Sequence, residues 1–160
     1  MRADVVRHHI GEVRRLDRDI ADATRQIEDM LKQSGTSLMR LQGVGVVTAA
    51  KILGELGNSR KVRSKAAFGM LTGTAPLPAS SGQTTSHRFN RGGNRQLNFA
   101  LHTIAINRLR LDPNTRSYVA RKRAEGKSKK EAMRCLKRHL ANVVYRELVT
   151  GETDGVQIGA

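Results

Sequence analysis

Residues 37–57 read SLMRLQGVGVVTAAKILGELG, and this stretch decides the class of fold. A short apolar turn, Leu38 to Leu41, leads to Gly43 and Gly45, and a helix with regularly spaced apolar residues follows. This is the pattern of a helix-hairpin-helix, in which glycines let the backbone approach a DNA phosphate while the amides of the second helix point at it. We therefore predict Gly43 and Gly45 as phosphate-binding residues. The same pattern also suits a hairpin that serves only for packing.

Upstream of this stretch, residues 4–32 show a heptad repeat with a narrow apolar seam. One seam position holds Val6, Val13, Ile20 and Ile27, and the other holds His9, Leu16, Ala23 and Met30. So narrow a seam is marginal in an isolated helix, so we expect this helix to pair with another, in the same molecule or across a homo-oligomer. The alternative is a helix that packs on its own domain.

Downstream, helical patterns continue almost to the C-terminus. Ser64 caps a short helix, and a longer helix begins at Asn94 and runs to Leu111. Asp112 and Pro113 end that helix and begin a further one. The capping box from Ser128 to Glu131 opens the last helix. Predicted core positions are Leu97, Leu101, Ile104 and Ala105, then Ala132, Leu136, Leu140, Val143 and Leu148.

We therefore predict an all-α protein in three parts. Residues 1–35 form a coiled-coil helix for dimerisation or for contact between domains. Residues 36–150 form a compact helical domain with the helix-hairpin-helix and an irregular catalytic loop, and residues 151–160 form a flexible tail.

The irregular loop is a polar stretch, Ala75 to Arg95, with the sequence APLPASSGQTTSHRFNRGGNR. Its prolines exclude a helix, and apolar helical segments flank it, which is how a scaffold presents a working loop. We expect it to touch phosphate. A serine could attack a phosphodiester there only with a base and cationic donors nearby, and on spacing alone such serines are more often turn-formers. The candidate residues are Ser80 and Ser81 as nucleophiles, His87 as a base, and Arg88, Arg91 and Arg95 as cations.

The charge distribution indicates a nucleic-acid partner. The chain carries a net charge of +15, with a pI near 11.2. Residues 1–59 hold nine Lys or Arg against eight Asp or Glu, whereas residues 60–146 hold twenty against three. Clustered cations repel one another until phosphates neutralise them, so we expect the basic surface to lie in the middle and C-terminal part.

Composition also excludes several classes of protein. The single cysteine, Cys135, excludes an internal disulfide and a cysteine-based zinc site, and it fits a reducing cytoplasm. No apolar run is long enough to span a membrane, and the N-terminus is too charged for a signal peptide. No carboxylates or histidines cluster at metal-ligand spacing in the basic portion, so we predict no metal site. With 3% aromatic residues, stacking on single-stranded bases is not expected to be the main binding mode.

Two motifs together carry a family resemblance. The stretch LMRLQGVGVVTAAKILGELG, followed by GTAPLPASSGQTTSHRFNRGGNRQLNFALHTIA, resembles the C-terminal domain of insertion-sequence transposases of the IS110/IS116/IS902 group. In that family, a RuvC-like DEDD domain with acidic metal ligands is combined with a helical domain that carries a catalytic serine, and some members are guided by a bridge RNA. The resemblance covers about residues 37–148. The heptad repeat before it, residues 4–32, resembles the family's coiled coil.

The resemblance implies DNA transposition by attack of a serine on the DNA backbone. It assigns the nucleophile to Ser81, with Ser80 as the fallback, and it matches Arg88, Arg91, Asn94 and Arg95 to the polar run after the serine. We read these four as phosphate-binding from their charge and proximity. The implied partners are transposon-end and target DNA and a guide RNA, in a bacterial cytoplasm and close to the nucleoid.

The sequence departs from the family because it lacks the RuvC-like domain, where a divalent metal such as Mg²⁺ would be bound. No cofactor is therefore expected in this chain. Either the chain is a truncated and inactive reading frame, or a partner supplies the missing acids. Two alternatives remain beside the transposase hypothesis: a non-enzymatic DNA- or RNA-binding remnant of a transposase, and a basic RNA-binding protein of the ribosomal kind.

Overall fold

The computed structural model describes residues 2–57, 62–78, 87–88, 90 and 92–150. Six α-helices fall in this part of the chain: α1 (Arg2–Gln33), α2 (Val46–Leu56), α3 (Lys65–Leu71), α4 (Arg95–Leu111), α5 (Pro113–Ala124) and α6 (Lys129–Thr150). A 3-10 helix, Leu38–Arg40, precedes α2, and two-residue strands β1 (Leu77–Pro78) and β2 (His87–Arg88) form an antiparallel pair. The all-α class predicted from the sequence is confirmed.

The chain divides into two compact units, Met1–Gly35 and Thr36–Ala160. In the first unit, α1 ends where Gly35 takes a left-handed conformation (φ +67°), as the glycine after the heptad predicts. Ion pairs one turn apart stabilise its surface, for example Arg15 with Glu12 at 3.0 Å and with Asp19 at 3.1 Å. Most of the predicted seam is exposed to solvent, including Val6, Val13, Leu16, Ile20 and Met30. Pairing of this seam with another helix stays a prediction.

The core of the second unit lies between α4 and α6, and the other three helices pack around these two. All four predicted core residues of α4 are buried, and so are four of the five predicted for α6, while Leu148 is half-buried. Ile52 of α2 and Phe68 of α3 are also buried in this core. Helical periodicity located these faces because each helix buries a single stripe.

The predicted helix caps are present as hydrogen bonds. The Ser64 hydroxyl accepts from the amide of Ala67 at 3.1 Å, and Asp112 Oδ1 accepts from the amide of Asn114 at 3.0 Å. Ser128 and Glu131 form the reciprocal capping box, with the Ser128 amide donating to Glu131 Oε2 at 2.8 Å. These short-range bonds fix where each helix begins.

The predicted helix-hairpin-helix is not confirmed, because only the three-residue 3-10 helix stands where that motif has its first α-helix. Gly43 has φ +88°, and a Cβ there would lie 2.9 Å from Arg108 Cγ and 3.2 Å from the carbonyl oxygen of Ile104. The Asn107 side chain also donates to the Gly43 carbonyl at 3.3 Å. Gly43 therefore permits a close approach between the turn before α2 and helix α4.

A buried ion pair joins the end of α4 to the start of α5. Arg108 Nη2 lies 2.9 Å from Asp112 Oδ2, which also accepts from the Thr115 hydroxyl at 2.5 Å. Burial alone would raise the pKa of Asp112, but the hydrogen bonds from Thr115, Arg108 and the amide of Asn114 outweigh burial and lower it. The carboxylate therefore serves both as a helix cap and as the counter-ion of a buried arginine.

Candidate nucleic-acid interface

The strand pair lies within the polar loop of residues 75–95. Leu77 pairs with Arg88 and Pro78 with His87, so the two ends of the intervening chain are held side by side. Both predicted nucleophiles, Ser80 and Ser81, lie in the intervening residues 79–86, outside the described part of the chain. Arg91 is also outside it, and Arg88 is described only as a strand residue.

Two glycines, one on each side of the strand pair in the sequence, let the chain segments that flank the strands come into contact. Gly73 has φ +66°, and a methyl group on Gly93 would overlap the backbone nitrogen and Cα of Gly73. The amide of Asn94 donates to the carbonyl of Leu71 at 2.6 Å just beyond this contact. The two segments therefore meet backbone to backbone, and only glycine fits at that point.

Two asparagines then fasten the loop to the helices. Asn90 is buried: its Nδ2 donates to the Met70 carbonyl at 3.1 Å, and its Oδ1 accepts from the amide of Gly92 at 3.0 Å. Asn98 of α4 donates to the Thr72 carbonyl at 2.8 Å and accepts from Lys137 Nζ of α6 at 2.7 Å. The base of the loop is thus fixed by groups from α3, α4 and α6.

A cleft of about 600 Å³ opens beside this base. The described residues lining it are Gly73, Asn90, Gly93, Arg95, Asn98, Phe99, His102 and Lys137, and no carboxylate is among them. Burial, followed by the charge of Arg134, lowers the pKa of Lys137. A cationic cleft without acidic side chains is suited to a phosphate.

Four of these lining residues come from one face of α4, at positions 95, 98, 99 and 102. This spacing places them on the side opposite the core stripe of that helix. Sequence reasoning selected Arg95 but missed Phe99 and Lys137. The spacing on α4 is a signal that could have identified Phe99, whereas Lys137 reaches the cleft only through tertiary packing.

Of the other predicted phosphate ligands, Asn94 and Gly43 form hydrogen bonds with side chains of the protein. Asn94 Oδ1 accepts from the amides of Gln96 and Leu97 at 2.8 and 3.0 Å, and its Nδ2 donates to Glu55 Oε2 at 2.7 Å. Gly45 is the exposed N-cap of α2, and no side chain caps that helix. A phosphate role for Asn94, Gly43 or Gly45 therefore stays a prediction.

A second basic surface lies at the junction of α5 and α6. Its exposed cations are Arg116, Arg121, Arg123, Lys129, Lys130 and Arg134. Glu125 is the one carboxylate of α5 and the turn after it, and hydrogen bonds from Lys122 at 2.8 Å and Lys127 at 2.9 Å lower its pKa to about 2. Glu131 at the start of α6 is a second carboxylate of this surface, and the cations still outnumber the carboxylates, which suits an external polyanion.

Neither a metal site nor a membrane span is found in the described ranges. Those residues contain no group of three His, Cys, Asp or Glu side chains that could hold a metal ion. None of the described helices combines the length and apolar character needed to cross a bilayer. His102 is exposed in the cleft, and His139 is half-buried against the ring of Tyr118 at a centroid distance of 5.9 Å.

Comparison with known proteins gives a consistent picture. Residues 35–120, which contain the loop and most of the cleft, match the family described as "Transposase IS116/IS110/IS902 family". The chain is similar to the insertion element IS900 uncharacterized 42 kDa protein of Mycobacterium paratuberculosis, with 31% identity over 150 residues, which are 91% of this chain and 38% of that protein. It is also similar to the insertion element IS110 uncharacterized 43.6 kDa protein of Streptomyces coelicolor, with 37% identity over 116 residues, which are 71% of this chain and 28% of that protein. The chain thus spans well under half the length of either relative.

Proposed function

The chain belongs to the IS116/IS110/IS902 transposase family, and from that premise we propose that it binds DNA at the loop and the adjoining cleft, where a loop serine attacks the DNA backbone. The observation that carries the proposal is the position of the cleft. A cationic cleft adjoins the fixed base of the same loop that contains the predicted nucleophile. A DNA phosphate bound in the cleft would therefore keep its strand next to that loop.

In the proposed reaction, Ser81 Oγ attacks the phosphorus of a phosphodiester, with Ser80 as the alternative. An Oγ–P bond forms, one P–O ester bond breaks, and the released deoxyribose oxygen takes up a proton in place of the one that the serine loses. His87 is the candidate base. Cationic groups stabilise the charge that develops on the phosphoryl oxygens, and Arg95 with Arg88 and Arg91 are the candidates for this role.

The basic surface at the junction of α5 and α6 would contact further phosphates of transposon-end or target DNA. Its cations come from one compact part of the chain, and such clusters bind duplex backbones without reading sequence. A guide RNA is a second possible occupant of this surface. Binding to chromosomal DNA through it would place the protein near the nucleoid.

The family resemblance implies a divalent metal, such as Mg²⁺, in a RuvC-like domain. The described residues do not fit such an ion, because no acidic or histidine cluster is present among them. No step of the proposed reaction therefore uses a metal held by these residues. The acidic ligands of such an ion would therefore come from residues other than these.

We also propose that α1 pairs with a second copy of the chain. Its exposed apolar seam repeats every seven residues, and burying that stripe against an identical helix is the usual way to form a coiled coil. Pairing would bring two loops into one assembly, as strand exchange at two DNA ends requires.

The experiment is a search for a covalent complex. The chain is incubated with labelled donor DNA, with and without a separately expressed RuvC-like partner and Mg²⁺, and run on a denaturing gel. We expect an adduct that Ser81→Ala abolishes and Ser86→Ala, in the same loop, retains. DNA binding without an adduct in either condition would leave a non-enzymatic DNA- or RNA-binding module, and an absence of binding would contradict the proposal as a whole.

A further inference from the structure

We infer that the cleft beside the loop is a subsite for one unpaired deoxynucleotide, whose base stacks on Phe99 and whose phosphate binds Arg95 and Lys137. The inference rests on the proposed DNA-binding function and deepens it, because it states in which form the strand reaches the serine loop.

The first observation is the exposure of Phe99. Its side chain is 58% exposed, although α4 has a continuous core stripe on its other face. The ring lines the cleft together with Arg95, Asn98 and His102. An aromatic ring at the wall of a polar cleft offers a flat apolar surface to a ligand.

The second observation is the charge around the ring. Lys51 Nζ lies 5.0 Å from the centroid of Phe99 and donates a hydrogen bond to Gln96 Oε1 at 2.8 Å, which holds the ammonium group near the ring. Arg95 and Lys137 line the same cleft. An apolar peptide would desolvate these cations without compensation, whereas a nucleotide supplies a base for the ring and a phosphate for the cations.

The third observation concerns size and access. A cleft of about 600 Å³ falls within the range of about 300–1,000 Å³ that holds a small organic ligand, and it suits a single nucleotide. The faces of bases in a duplex are covered by their stacked neighbours, so Phe99 can stack only on a base that is unpaired or turned out of the helix. A single aromatic ring can stack on a single base. This limited role for stacking agrees with the low aromatic content of the chain and with the expectation that phosphate contacts dominate its binding.

The test compares the affinity of the full chain for a labelled single-stranded oligodeoxynucleotide, the matching duplex and the matching RNA, measured by fluorescence anisotropy. We expect Phe99→Ala to weaken single-strand binding by about 5- to 150-fold, the range for loss of one base–aromatic stack. Duplex affinity should stay within about twofold, because phosphate contacts dominate it. Phe99→Tyr should restore single-strand binding, and Leu111→Ala, at an exposed apolar position at the end of α4, should leave it unchanged.

A second measurement addresses the phosphate of the same nucleotide. Arg95→Gln should reduce the slope of log affinity against log salt by about 0.7 on single strands, the value expected when the chain binds one phosphate fewer. Photo-cross-linking of 5-iododeoxyuridine in the single strand should attach it to Phe99.

Equal weakening of duplex and single-strand binding by Phe99→Ala, or no weakening of either, would overturn the subsite and leave the proposed DNA binding intact. Tighter Phe99-dependent binding of the RNA would overturn the assignment to DNA. If the wild-type chain binds none of the three, the proposed function fails and the inference fails with it.

Discussion

Replacement of Asn94 by alanine should lower the stability of the helical unit, because the N-cap of α4 is lost. The side chain caps α4 by accepting two backbone amides, and its Nδ2 donates to Glu55. Loss of an N-cap costs about 1 kcal/mol, and loss of an exposed hydrogen bond adds about 0.5 kcal/mol. A decrease of about 1.5 kcal/mol corresponds to a decrease of about 5 °C in the melting temperature of a unit of this size.

The assay combines thermal unfolding, followed by circular dichroism, with DNA titration. Asn94→Ser is the matched control, because serine caps helices about as well as asparagine but has no amide group to donate to Glu55 Oε2. We expect the serine variant to unfold within about 2 °C of the wild type. If both variants lose DNA affinity several-fold while the alanine variant keeps its melting temperature, Asn94 is a phosphate ligand and the reasoning from the cap is refuted.

Three further predictions concern the loop base, the buried ion pair and pH. Gly93→Ala should lower the free energy of unfolding by about 1–3 kcal/mol and make the loop more sensitive to protease, because the new methyl group overlaps the backbone of Gly73. Gly92→Ala is the control: its Cβ has its nearest neighbour at 3.4 Å, so this variant should behave like the wild type. Asp112→Ala should cost about 3–5 kcal/mol in urea unfolding, because it leaves Arg108 buried without its counter-ion. Burial, and then the charges of Arg108 and Arg146, lower the pKa of His139, so the unfolded chain binds this proton more readily than the folded one. Stability should therefore fall as the pH decreases below about 6.5, and His139→Gln should flatten that part of the curve.

The elements that sequence predicted correctly depend on local signals. Asn94, Asp112 and Ser128 each hydrogen-bond to a backbone amide within three residues, so their effect can be read from the chain alone. The core stripes of α4 and α6 follow from the helical repeat in the same way. Even the break after α1 is local, because Gly35 adopts a conformation that few other residues tolerate.

The elements that sequence could not predict depend on which segments meet. Gly43 allows a close approach, but only the fold shows that the approaching atoms belong to α4. Lys137 and Asn98 are hydrogen-bonded although they are 39 positions apart, and no periodic pattern connects them. The cleft could therefore not be predicted from the sequence. Only the lining residues on the Phe99 face of α4 show a regular helical spacing.

The central claim is that a serine of the loop becomes joined to DNA, and peptide mass mapping tests it most directly. Trypsin should release residues 66–88, a peptide that contains both Ser80 and Ser81. After incubation with donor DNA, the RuvC-like partner and Mg²⁺, followed by nuclease digestion, we predict that this peptide carries a nucleotide phosphate on Ser81. An unmodified peptide under these conditions, or a nucleotide on a residue outside the loop, would contradict the account.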